Sequence, residues 1–145
     1  LIISPELWRE FFKPRYQHQF EIAHRLGLEV YFHSCGAIHD IIPDLIEIGV
    51  DMLNLSQPNL FDLEEIGRLY GGKTCFVCPV SYQTTSISGT PEDIFRDAKN
   101  LIKHLGSQQG GFIGYIEDYH SMGMSEENYQ ACIEAFRTLG NQNRL

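Results

Sequence analysis

The chain has 145 residues, 43% of them hydrophobic and 21% charged, with a formal net charge of −8. That length allows one domain with a real core, and the acidic balance argues against general affinity for nucleic acid or an anionic membrane. No apolar run reaches the roughly 18 to 20 residues that a bilayer span requires, and the four cysteines, Cys35, Cys75, Cys78 and Cys132, fit a reducing cytoplasm better than a disulfide framework.

The first residues, Leu1, Ile2 and Ile3, lead straight into a helix start with no signal-peptide pattern. The absence of an initiating Met predicts a processed protein or a piece of a longer one. Ser4, Pro5 and Glu6 supply an N-cap, a proline at the first helical position and an acid in the first turn. Pro14 should break or kink this helix. A second helix is expected over 15–26, ended by Gly27.

The run 28–33 is apolar and aromatic and predicts a buried strand. A helix follows over 37–48, either kinked at Pro43 or truly beginning there. Strands are expected over 50–55 and 73–78, separated by a turn at 57–59 and a helix over 62–70. A polar loop over 81–89 leads to Thr90 and Pro91, an N-cap and first-turn proline that open a helix to about Leu105. A fourth strand over 111–116 and a helix from Ser125 to Gly140 complete the core, leaving 141–145 as a frayed tail.

Strands that alternate with helices imply a parallel sheet with right-handed crossovers. Short, apolar, β-branched strands suit a sheet covered on both faces. Two architectures satisfy this order: an open doubly wound sheet, or part of a (β/α)8 barrel. The glycine-rich phosphate fingerprint of nucleotide-binding sheets is missing, because Gly71-Gly72 and Gly110-Gly111 precede strands rather than follow them. A complete barrel takes about 250 residues and eight βα units, and this chain has four.

The stretch His33-Ser34-Cys35-Gly36 carries the most chemistry. Residues two apart on a strand point the same way, so an imidazole and a thiol emerge together where a strand ends. These are zinc-type ligands, and strand C-termini are where α/β barrels keep their active sites. The competing reading is that both are strand-end residues that pack and hydrogen-bond. Cys78 also ends a strand and could reach the same mouth. Cys75 lies three residues before it and should face the other way, as a core thiol, and Cys132 lies beside Ile133 and Phe136 on a helix and should also be core.

Glu117, Asp118 and His120 crowd one loop after the fourth strand, where a carboxylate beside an imidazole could bind metal or move a proton; a solvated loop is the alternative. Asn54, Ser56 and Gln57 after the second strand, and Ser81, Tyr82 and Gln83 after the third, could hydrogen-bond a ligand or serve turn chemistry. His18, His24, His39 and His104 read as surface residues.

Five segments, 3–11 (ISPELWREF), 32–36 (FHSCG), 42–51 (IPDLIEIGVD), 89–93 (GTPED) and 110–113 (GGFI), stand in the order in which similar segments occur in the uroporphyrinogen decarboxylase superfamily. The chain resembles the C-terminal half of that superfamily's (β/α)8 barrel over nearly its whole length. The resemblance implies four parallel βα units preceded by a helix, spanning 1–140, with the first half of the barrel absent. It also implies one of two chemistries. One is cofactor-free decarboxylation of uroporphyrinogen, a step of porphyrin biosynthesis. The other is methyl transfer from a methylated corrinoid protein to a small thiol, with zinc activating the thiol.

The methyltransferase branch carries a His-x-Cys-Gly motif, matched here by His33, Cys35 and Gly36. In that branch a third zinc ligand, a Cys, follows the last strand. Here 114–120 reads GYIEDYH and contains no Cys, so Glu117, Asp118 or His120 would have to replace it. His120 could instead correspond to the loop histidine of the decarboxylases. The arginines that hold a polycarboxylate in that branch come largely from the missing half. A sheet half-barrel leaves two edges and one apolar face open, which predicts a homo-oligomer or pairing with the missing half. A silent fragment that only assembles is the third reading.

Overall fold

The computed structural model describes residues 1–106, 111–117, 121 and 123–142. The Ser4 side chain accepts the Leu7 N–H at 3.3 Å and starts α1 (Pro5–Phe11), with Pro5 where no N–H is required. Only Phe12 separates α1 from α2 (Lys13–Arg25). The break thus falls two residues before Pro14, whose ring is tolerated in the first turn of α2.

After β1 (Tyr31–Ser34), one turn of 3-10 helix (His39–Ile41) leads into α3 (Ile42–Glu47), with Pro43 in its first turn. Of the two expectations for Pro43, a helix beginning there is the one observed. β2 (Met52–Leu55) and a 3-10 turn (Pro58–Leu60) follow, then α4 (Leu63–Tyr70), capped by the Asp62 carboxylate on the Glu65 N–H at 3.0 Å.

β3 (Cys75–Pro79) ends in the polar segment expected to be a loop, which contains the short helix α5 (Thr85–Ser88). Its β-branched and serine residues are poor helix formers; the Ser81 carbonyl accepts the N–H groups of Thr85 and Ser86 and holds the turn. α6 (Pro91–Leu105) has the expected bounds, because Thr90 and Asp93 cap each other's backbone N–H reciprocally. β4 (Phe112–Tyr115) is followed by α7 (Glu126–Gln142), which runs two residues past the expected stop at Gly140.

The four strands are all parallel and lie in the order β1-β2-β3-β4. With interleaved helices on one face, this is half of a (β/α)8 barrel. His33 pairs with Asn54, Asn54 with Val77, and Val77 with Ile113. Paired residues in a parallel sheet face the same side, so the register sorts every strand residue. Phe32, Leu53, Leu55, Phe76, Cys78 and Phe112 face the helices, together with Gly114. Tyr31, His33, Asn54, Val77, Ile113 and Tyr115 face the interior of the barrel.

The helix-facing side is the core. Leu53, Phe76, Leu101, Ile42 and Leu45 are fully buried there, and burial of each such side chain stabilises the fold by about 1.5–3 kcal/mol. α6 contributes an unbroken stripe of Ile94, Ala98, Leu101 and Leu105; its Ile94 and Ala98 pack with Ala131, Cys132 and Ala135 of α7 in a second cluster. Cys132 is core, as expected. α4 lies so close to α6 that a Cβ at Gly67 would sit 1.8 Å from the His104 carbonyl oxygen, a gap that only glycine fills.

Polar side-chain contacts tie the helices to one another and to the sheet end. The Asp44 carboxylate on α3 accepts Arg9 Nε at 2.9 Å and Lys13 Nζ at 2.8 Å, which fastens α1 and α2. Asp51, before β2, accepts the Val30 N–H at 2.7 Å and pairs with His24 Nε2 at 2.7 Å. His24 is therefore a sheet-end latch rather than an unpaired surface residue. By contrast, the inner face is open: Tyr31 is 53% and Ile113 46% exposed. Among the described residues, no helix is long and apolar enough to cross a membrane.

Candidate functional site

The end of β1 is held by the end of β2 through three contacts, each between residues 21 apart in sequence. His33 Nδ1 meets Asn54 Oδ1, Cys35 Sγ lies 3.3 Å from Ser56 Oγ, and the Gly36 N–H donates to Gln57 Oε1 at 2.6 Å. Gly36 has φ +78°, a left-handed conformation that turns the chain after Cys35 and aims its N–H at Gln57. These contacts leave Cys35 Sγ 3.6 Å from His33 Nε2.

A second layer joins the remaining strands. Asn54 is buried, and its amide donates to the Val77 carbonyl at 2.9 Å. On the same face the Tyr115 hydroxyl donates to Glu117 Oε1 at 2.7 Å. Burial pushes the Tyr115 phenol well above its usual range; the polar Asn54 side chain opposes that shift and the Glu117 carboxylate adds to it. Tyr115 is thus a neutral donor at physiological pH.

The register brings His33 and Cys35 together, and the site can be tested for zinc on their separation. With Zn–S near 2.3 Å and Zn–N near 2.0–2.1 Å, a tetrahedral centre sets sulfur and nitrogen about 3.5 Å apart. The observed 3.6 Å matches that edge. Cys78 is not brought to this pair. It pairs with Gly114, whose missing Cβ would strike the Phe136 ring, so it faces the helices and is fully buried. Burial pushes its thiol up to about 12. Position at a strand end suggested Cys78; parity within the strand removes it.

Among the described residues, no group of three His, Cys, Asp or Glu side chains is poised for a metal. Glu117 is on the β4 side with its carboxylate on Tyr115, while Asp118 and His120 lie outside the described residues. Asn54 and Gln57, expected to touch a ligand, reach the motif itself. Tyr82 lines a narrow crevice with Pro79, Ser86, Tyr115 and Glu117. Sequence reasoning did not single out Tyr115; its signal was its place at the end of a strand two residues before Glu117, within reach of that carboxylate.

The strand-end His/Cys pair stands on the inner face at the C-terminal rim of the half-barrel, where α/β barrels carry their active sites. The family model described as uroporphyrinogen decarboxylase (URO-D) matches residues 1–139, and the chain belongs to that family. Among solved structures, a methyltransferase from Methanosarcina mazei is similar, with a TM-score of 0.71 and 21% identity. The match covers 95% of this chain and 38% of that one, so the chain spans well under half the length of the protein it resembles. Comparison with the curated proteins finds no match.

Proposed function

We propose that this chain carries the zinc-binding half of a thiol methyltransferase active site, the zinc held by Nε2 of His33 and Sγ of Cys35. The observation that carries the reading is the 3.6 Å separation of these two atoms on the open inner face. Glu117, Asp118 or His120 supplies the third ligand. Bound there, zinc would lower the pKa of a substrate thiol so that the thiolate exists near neutral pH.

The chain's own residues prepare the rim. Ser56 hydrogen-bonds the Cys35 sulfur, Gln57 holds the turn at Gly36, Asn54 holds His33, and Tyr115 holds Glu117. The methyl group comes from a methylated corrinoid carried by a partner protein at the barrel mouth. The corrinoid would supply the methyl group to the thiol sulfur and keep the bonding electron pair. The name of the similar Methanosarcina mazei protein agrees with this class, although at its level of identity it speaks for the fold alone. The rest of the barrel comes from the missing half or a second copy, which would cover Tyr31 and Ile113.

A second reading, porphyrinogen decarboxylation, is favoured by the description of the matching family model. It needs no metal. The test is elemental analysis of the purified protein beside Cys35→Ser. Near-stoichiometric zinc that disappears in the variant supports the methyltransferase reading. A well-folded, zinc-free protein that takes up none when zinc is supplied overturns it; turnover of uroporphyrinogen would then establish the decarboxylase, and its absence an assembly fragment.

A further inference from the structure

The groups around Asn54 leave its side chain one orientation. Its amide nitrogen donates to the Val77 carbonyl at 2.9 Å, and a carbonyl can only accept. A flipped amide would set oxygen against oxygen. Asn54 Oδ1 must therefore face β1, where it meets Nδ1 of His33.

An oxygen acceptor at Nδ1 requires a proton on Nδ1. A neutral imidazole protonated there carries its lone pair on Nε2, and Nε2 is the nitrogen that faces Cys35 Sγ. The opposite tautomer would turn an N–H into the space where a cation has to sit. The register supplies the connection: a backbone acceptor on β3 orients an amide on β2, and the amide orients a ring on β1.

We propose that Asn54 is a positioning residue that holds neutral His33 in its Nδ1–H form, so that the Nε2 lone pair and the Cys35 sulfur face one cation together. The choice of zinc rests on the functional reading above, whereas the tautomer is a property of the metal-free chain. Nothing else among the described hydrogen bonds of His33 would select it: its other ring contact is the Cys35 sulfur, a weak partner that can accept from an Nε2–H as readily as donate.

The test uses the full chain with 15N-labelled histidine, stripped of metal with a chelator and held at pH 8. Long-range proton–nitrogen spectra distinguish a protonated from an unprotonated ring nitrogen. Wild type should show His33 protonated at Nδ1. Asn54→Leu should shift the population to Nε2–H and weaken zinc binding about 10- to 100-fold in a chelator competition. Asn54→Asp keeps an acceptor for Nδ1–H, and a proton on its second oxygen replaces the amide's donation to the Val77 carbonyl; it should restore the tautomer and part of the zinc affinity. A residue that merely packs would lose zinc affinity equally in both variants, with the tautomer unmoved.

Wild-type His33 in the Nε2–H form overturns the proposal, as does an Nδ1–H form that persists in Asn54→Leu. If Asn54→Leu does not fold, the wild-type spectrum together with Asn54→Asp decides. A wild type that is Nδ1–H and dependent on Asn54, yet takes up no zinc, upholds the positioning role and overturns the zinc reading alone.

Discussion

Cys35 and Cys78 both stand where a parallel strand runs out, one residue past β1 and one residue inside the end of β3. Cys35 faces the barrel interior, with a hydroxyl and an imidazole within reach of its sulfur. Cys78 faces the helices and is sealed among Phe76, Leu101 and Leu105. The two thiols are separated in chemistry by the two-residue period of the strand, not by their height on the sheet. One face of this sheet packs against the helices and the other carries the proposed site, and a single-residue slip in register would exchange them.

The largest effect that sharpens this contrast is in stability. Leu53→Ala, on the helix face, should cost about 2–5 kcal/mol, read from denaturant midpoints. Ile113→Ala, on the open inner face, should cost less than about 1 kcal/mol, as partly exposed sites usually do. Equal costs would mean that the inner face is covered in solution, and the oligomeric state would then show by what.

The cysteines themselves give the next test. Cys78→Ala should lose about 1–2 kcal/mol through the cavity it leaves while zinc content stays at the wild-type level. Cys35→Ala should leave stability within about 0.5 kcal/mol and abolish zinc uptake. The reverse pattern would break the assignment of the faces.

Smaller effects probe the supports. Gly36→Ala should cost about 1 kcal/mol, because an L side chain is strained at φ +78°, although a Cβ there meets nothing within 4 Å. Asp44→Asn should cost about 1 kcal/mol at neutral pH, since its partners are partly exposed. Burial alone would raise the Asp44 pKa, but the Lys13 and Arg9 hydrogen bonds outweigh it and hold the carboxyl below its ordinary 3.8. Its contribution is therefore fully present above that ordinary value and is lost as pH falls through the lower folded one. Urea midpoints of wild type and variant should converge in acid.

Most of the fold was legible because its signals are local. Ser4 and Thr90, with a proline after each, mark helix starts within one turn, and the apolar runs mark the strands. α5 was not legible, because its residues disfavour a helix and a distant amide, that of Asn128, donates to its Ser86 carbonyl and to that of Gly89. The pairing of His24 with Asp51 spans 27 residues and leaves no local trace. The His33/Cys35 pair was readable from its two-residue spacing. The exclusion of Cys78 was not, because it needs the pairing of β3 with β4 and the knowledge of which side the helices cover. Asn54 and Gln57 were singled out for their polarity, yet their contact with the motif emerges only once β1 and β2 are set in register.

The central claim is that one cysteine, not two, faces the metal. X-ray absorption at the zinc edge of zinc-loaded wild-type protein counts sulfur ligands directly. The account predicts one sulfur at about 2.3 Å, with nitrogen or oxygen at about 2.0–2.2 Å completing the shell. Two sulfurs would place Cys78 on the inner face, and a shell with none would remove Cys35 from the site; either would contradict the account.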